Sequence, residues 1–232
     1  LHYPLRRQRQ MCIRDRIEVA GGGFDSEKFH LPDSDSVLGK GDIKVVYVGK
    51  LSYSKGVSSL IKVYKSLEER IELILVGSVE GEEGEKILEE IRECGKKVTL
   101  KGQICQDELA ELFRTSDLFV LPSFYEGLSL VTLEALASGL RVVISKMSGI
   151  FEYLGEEINK SGLIEYVELP SMINVDEPVE SELYQFERRF LFAIKAQISK
   201  LDRKKDMEKF IELYPIISEK AWGGIALSLI HI

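Results

Sequence analysis

A doubly wound α/β fold, a parallel sheet covered on both faces by helices, is the expectation for this chain of 232 residues. Three observations lead to it. Between 43 and 146, short β-rich runs alternate with amphipathic helical stretches. The first run is continuously apolar, as in strands buried on both faces. The connections are short, so successive strands cross over through a helix and lie parallel.

The elements follow in order. IKVVYVG (43–49) is the first strand, and GVSSLIKVYKSLEE (56–69) is a helix with Val57, Leu60, Ile61, Tyr64 and Leu67 at helical spacing. IELILVG (71–77) is a strand, EGEKILEEIREC (83–94) a helix and KVTLKG (97–102) a strand. QDELAELFRTS (106–116) places Leu109, Leu112 and Phe113 on one helical face. DLFVLPS (117–123) and RVVISK (141–146) are strands separated by a helix that contains Glu134, and SGLIEYVEL (161–169) fits one more strand before a loop through Pro178. Residues 183–201 form a long helix whose stripe of Phe186, Phe190, Ile194 and Ile198 reads as core rather than as an acceptor groove. Pro215 is expected to break 207–225 into two short helices. Residues 17–42, rich in Gly, Asp and Ser, read as an interdomain linker. The expected layout is a Rossmann-like domain over 43–202 and C-terminal helices over 203–226.

The two ends stand apart. RRQRQMCIRDR (6–16) and LSLIHI (227–232) back-translate into what resembles a transposase adapter of sequencing libraries and its reverse complement. Residues 1–16 and 227–232 are therefore set aside as adapter artefact, and the natural protein is expected to be longer. Without the five arginines and one aspartate of the first sixteen residues, the net charge moves from −7 to −11. An acidic chain without a basic cluster argues against nucleic acid as partner. Cys94 and Cys105 alone make neither a disulfide framework nor a zinc site. Nothing resembles a signal peptide or a membrane span, and a cytoplasmic location is expected.

Two stretches carry chemistry. GKLSYSKG (49–56) is a glycine turn after the first strand, with Lys50 and Lys55 five positions apart. With a helix starting near Gly56, free amides and two ammonium groups could converge on a diphosphate; two solvated surface lysines are the alternative. The stretch lacks the spacing of a P-loop and of the dinucleotide fingerprint, which disfavours a dehydrogenase. FYEGLSLVTLEALASGLRVV (124–143) is nearly all apolar or small, yet holds Glu126 and Glu134. A carboxylate out of water needs a partner. The helix is expected to start near Ser129, leaving the amides of Gly127, Leu128, Ser129 and Leu130 free at the sheet edge. Glu134, about one turn in, could accept both hydroxyls of a ribose. A helix-initiating acid and a snorkelling acid are the alternative.

The stretch EGLSLVTLEALASGLRVV (126–143) resembles the E-x7-E signature of retaining GT-B glycosyltransferases of the group 1 type. AGGGFDSEKFHLP (20–32) resembles that family's interdomain stretch, GKLSYSKG its phosphate site and SGIFEYL (148–154) its segment after the fifth strand. The resemblance implies the donor-binding half of an enzyme that moves a hexose from a nucleoside diphosphate sugar to an acceptor hydroxyl. By it, Gly49, Lys50 and Lys55 hold the diphosphate and Glu134 the ribose. Glu126, with the amides of 127–130, holds the sugar and phosphate; Lys50, Lys55 and Glu126 take the catalytic roles. No metal and no cofactor are implied. The acceptor side, and any peripheral membrane association, would belong to an absent N-terminal half, leaving this piece inactive alone. An epimerase or phosphorylase of the same fold, or a non-enzymatic nucleotide-binding module, remain alternatives.

This chain departs from the family pattern at Ser129 and Ser148, where glycine is commoner, which bears on the sugar rather than on the family. Region 156–178 fits the pattern poorly and is assigned no role. DSD (33–35) has a metal-binding form but sits in the polar linker, and Trp222 reads as packing. His30 is the one histidine outside the end segments, so neither a histidine metal cluster nor a Ser/His/Asp triad arises.

Overall fold

The computed structural model describes residues 23–32, 42–68 and 70–221. The two end segments, DSD and Trp222 lie outside them. Six strands, β1 (Ile43–Val48), β2 (Ile71–Val76), β3 (Val98–Gly102), β4 (Leu118–Leu121), β5 (Arg141–Ser145) and β6 (Ile164–Val167), form one sheet of order β3-β2-β1-β4-β5-β6. Every pairing is parallel. The helices are α1 (Val57–Lys65), α2 (Gly81–Arg92), α3 (Gln106–Arg114), α4 (Leu130–Ala137), α5 (Ser148–Lys160), α6 (Glu180–Ser199) and α7 (Arg203–Ser218). The expected doubly wound sheet is present, and SGLIEYVEL supplies its sixth strand.

The sequence pattern explains the layering. Val45, Val46 and Tyr47 of β1 and Leu118, Phe119 and Val120 of β4 are at most 1% exposed, which places both strands at the buried centre. Strand order reverses between them, and such a reversal opens a crevice beyond the carboxyl ends of the two strands. Helix α6 lays Phe186, Phe190 and Ile194 into the core, and its Phe186 ring meets Phe124 at 5.3 Å between centroids.

The opposite rim is fastened by charge. Arg141, at the start of β5, donates from Nε and Nη2 to the two carboxylate oxygens of Asp206 on α7 (2.8 and 2.5 Å) and from Nη1 to Gln197 Oε1 (2.7 Å). Arg203 donates to Asp117, which also accepts from the Lys44 amide. These bonds clamp α6 and α7 to the amino ends of the strands, away from the crevice.

The tail differs from expectation: α7 is one helix that runs through Pro215. The missing N–H would have served the carbonyl of Ile211, whose residue is 61% exposed, so water can take its place. Phe210 and Ile217, both buried, hold the helix on either side of the proline. The segment expected to be linker also differs. Phe24 and Phe29 are at most 1% exposed, Phe24 forms an isolated bridge with Ala221, and Arg114 donates to the Lys28 carbonyl. Residues 23–32 thus pack onto the domain. Two aromatic residues without periodicity gave no sign of this.

Candidate donor-binding site

The site is built from the loops that leave β1, β2 and β4. Backbone packs directly on backbone here. Gly56, the N-cap of α1, sits at φ +67° with its Cα so close to Pro122 that an added Cβ would lie 2.1 Å from the Pro122 carbonyl oxygen. An added Cβ on Gly77, after β2, would lie 1.8 Å from the Gly49 carbonyl oxygen. The Phe124 amide donates to the Ser54 carbonyl (2.9 Å) and the Leu51 amide to the Ser78 carbonyl (2.9 Å). Three loops are therefore locked into one surface at the carboxyl rim of the sheet.

Lys55 reaches across the switch point from the β1 loop to the β4 loop. Its Nζ lies 2.8 Å from Glu126 Oε1 and 3.2 Å from the Tyr125 carbonyl. Ser123, fully buried, donates to the same Glu126 oxygen at 3.0 Å. Tyr47 donates its hydroxyl to the Lys50 carbonyl (2.8 Å), and burial first, then the charge of Glu126, raises its phenol above the ordinary range. Glu126 thus has one oxygen engaged twice.

Lys50 is placed differently. It stands on the same rim, but its ammonium takes Glu80 of the β2 loop at 2.8 Å, which raises its pKa and lowers that of Glu80. The expectation that Lys50 and Lys55 converge on one point is corrected to this extent: they share a rim but not a partner. Each cation takes a carboxylate of its own, Glu80 for Lys50 and Glu126 for Lys55. Gly49 lies between them and the strand, its amide bonded to the Val76 carbonyl (2.9 Å).

The β4 loop ends where expected. Helix α4 begins at Leu130 with Ser129 as N-cap, and the Ser129 hydroxyl shares a hydrogen bond with Thr132 Oγ1 (2.8 Å). Among the described residues, the amides of Gly127, Leu128, Ser129 and Leu130 donate to no protein acceptor. They are free to meet an anion. Leu130, Val131 and Glu134 are the residues of α4 that are not fully buried, so Glu134 lies one turn below those amides on the half-buried arc. Its carboxylate has no hydrogen bond or ion pair among the described residues, and burial raises its pKa from 4.5 to about 7. Beside this loop lies the start of α5, where a Cβ on Gly149 would come within 3.3 Å of the Gly127 carbonyl oxygen.

Residue reading missed three neighbours. Tyr47 is an aromatic with a polar tip in a mainly aliphatic strand, and Ser123 lies two residues past the end of β4; both were weak signals. Glu80, one of many acids around α2, gave none. Among the described residues, no group of three His, Cys, Asp or Glu side chains is placed to hold a metal ion.

A parallel sheet of this order is a Rossmann-like domain, and its likeness to known glycosyltransferases makes it one half of a GT-B fold. The model of the family described as glycosyl transferases group 1 matches residues 33–172, more than half of the chain, and the chain belongs to that family. An uncharacterized glycosyltransferase of Methanocaldococcus jannaschii is 33% identical over 131 residues, covering 56% of this chain and 33% of that protein. Sucrose-phosphate synthase from Thermosynechococcus elongatus superposes with a TM-score of 0.71 at 22% identity, over 97% of this chain and 55% of that one. The Anabaena protein HepE, solved with UDP-glucose, gives a TM-score of 0.64 at 20% identity over 90% and 55% of the two chains. The chain thus spans a third to just over half of these three proteins.

Proposed function

We propose that this chain is the donor-binding half of a glycosyltransferase that moves a hexose from a nucleoside diphosphate sugar to an acceptor hydroxyl with retained configuration. The observation that carries the reading is the Lys55–Glu126 pair bridging the β1 and β4 loops at the switch point, beside the free amides that open α4. A nucleoside diphosphate sugar meets each of these groups with its own complement. The diphosphate takes Lys55, Lys50 and the amides of 127–130; the sugar hydroxyls take Glu126; the ribose diol takes Glu134. Gly49 lets the β1 loop pass close beneath. HepE, solved with UDP-glucose, supports the donor class.

In the reaction, the bond from the anomeric carbon to the diphosphate oxygen breaks while the bond to the acceptor oxygen forms, and the acceptor's hydroxyl proton passes to the departing phosphate oxygen. Negative charge gathers on the leaving diphosphate, and this reading gives its stabilisation to Lys55 and the helix amides, with Lys50 joining from the same rim on exchanging Glu80 for the phosphate. The reading assigns that work to protein groups and requires neither metal nor cofactor. Groups that bind the acceptor would lie in an N-terminal half outside this chain. The chain alone is therefore expected to bind donor without turnover.

Calorimetry with a panel of nucleotide sugars tests this, using wild type, Lys55→Ala and Glu134→Ala. At least one donor should bind wild type, and both substitutions should weaken it. Unchanged binding in both variants would show that the site lies elsewhere.

A further inference from the structure

We propose that the outward face of α6 docks on an anionic lipid surface. The buried arc of this helix carries Phe186, Phe190, Ala193, Ile194 and Gln197. Its opposite arc carries Ser181, Tyr184, Arg188, Phe192, Lys195 and Ser199, all exposed. Tyr184 and Phe192 are 64% and 65% exposed, two turns apart, with Arg188 between them and Lys195 beside them. None of these six is a carboxylate; exposed Glu180 borders the arc one turn before Tyr184. Arg188 and Lys195 have no ion pair or hydrogen bond among the described residues.

The neighbouring helix extends the same charge. Glu187, at the edge of the arc, turns toward α1, where it accepts from Ser59 (3.0 Å) and Lys62 (3.3 Å). One turn further along α1, Lys65 is exposed. On a chain of net charge −7, this strip sets two exposed aromatics beside two cations that have no ion pair among the described residues.

The occupant follows from chemistry and shape. Cations on long stems flanking aromatic rings match a phospholipid interface, where rings enter the headgroup layer and ammonium or guanidinium groups reach anionic phosphates. The strip is one helix wide and convex. A protein partner needs about 800 Å² of complementary surface on each side with a desolvated aromatic centre; a lipid surface needs only depth and charge. The N-terminal half of α6 also packs against the site loop through Phe186 and Phe124, so docking would hold the crevice at a fixed distance from the lipid.

Vesicle co-sedimentation tests the proposal. In every protein compared, the five arginines of the first sixteen residues are replaced by glutamine, so that they do not bind lipid themselves. The chain should sediment with vesicles of phosphatidylcholine and phosphatidylglycerol but not of phosphatidylcholine alone, and salt at 0.5 M should release it. Arg188→Glu with Lys195→Glu, and separately Phe192→Ser, should each lower partitioning at least fivefold, while Arg188→Lys with Lys195→Arg should retain it. These side chains are exposed, so unaltered melting will confirm that the variants fold. Failure to bind anionic vesicles, or equal binding by the charge-reversed variant, would overturn the proposal. An acidic protein or the other half of the parent enzyme as occupant would produce the first of these outcomes.

Discussion

Lys55 and Glu134 do opposite things at the same rim. Lys55 is satisfied before any ligand arrives, by Glu126 and the Tyr125 carbonyl. A donor diphosphate must offer more than this pair does, and a charge-assisted bond is worth about 1.5–3 kcal/mol. Lys55→Ala is therefore expected to weaken donor binding by roughly tenfold to a hundredfold, as read by calorimetry. Glu134 has no protein partner among the described residues, and burial raises its pKa from 4.5 to about 7. The folded state then holds its proton more tightly than the unfolded chain between these values. Stability falls as pH rises through that window, by about 3 kcal/mol at most, and levels off above it. Glu134→Gln should remove this slope in urea titrations and leave the unliganded chain more stable at pH 8. The same substitution should weaken donor binding at pH 8, because a carboxylate accepts both ribose hydroxyls and an amide oxygen does not replace it. Wild-type affinity should rise between pH 6 and 8 as Glu134 ionises. A flat profile would remove Glu134 from the site.

At the level of elements, the site depends on how closely the β1 loop approaches the end of β4. Gly56→Ala would push a methyl into the Pro122 carbonyl at a positive φ, and should cost at least about 1–3 kcal/mol in urea unfolding. Donor affinity should fall with it, since Lys55 adjoins Gly56. The strands and most helices were legible because apolar runs and helical spacing report burial directly. The start of α4 was legible too, since GLS after a strand leaves few other places for a first turn. Other contacts depend on distant partners. Nothing local to Phe24 or Arg141 says that they meet the far end of the chain, and Pro215 reads as a break until the exposed Ile211 turn is seen. Lys50 shows the same limit at the site, because its partner Glu80 arrives from a separate loop.

Across the whole molecule, the proposed donor site and the charged fastening occupy opposite rims. Lys50, Lys55, Glu126 and the α4 amides lie at the carboxyl ends of the strands. Arg141, Asp206, Asp117 and Arg203 tie α7 to the amino ends. Arg141→Met would leave Asp206 buried without its guanidinium, a loss of about 3–5 kcal/mol. Arg141→Met with Asp206→Leu should cost less than the single change, because no orphan charge remains. Thermal melts will show both effects. Donor affinity measured at low temperature, where the variants remain folded, should be unaltered. A drop in affinity would mean that the two rims are coupled.

A crystal structure of the chain with a nucleoside diphosphate tests the central claim most directly. The account predicts the diphosphate between Lys55 and the amides of 127–130, the ribose within hydrogen-bond distance of Glu134, and the Lys55–Glu126 bond opened or shared. A nucleotide bound elsewhere on the surface, with that pair intact and Glu134 still alone, would contradict it.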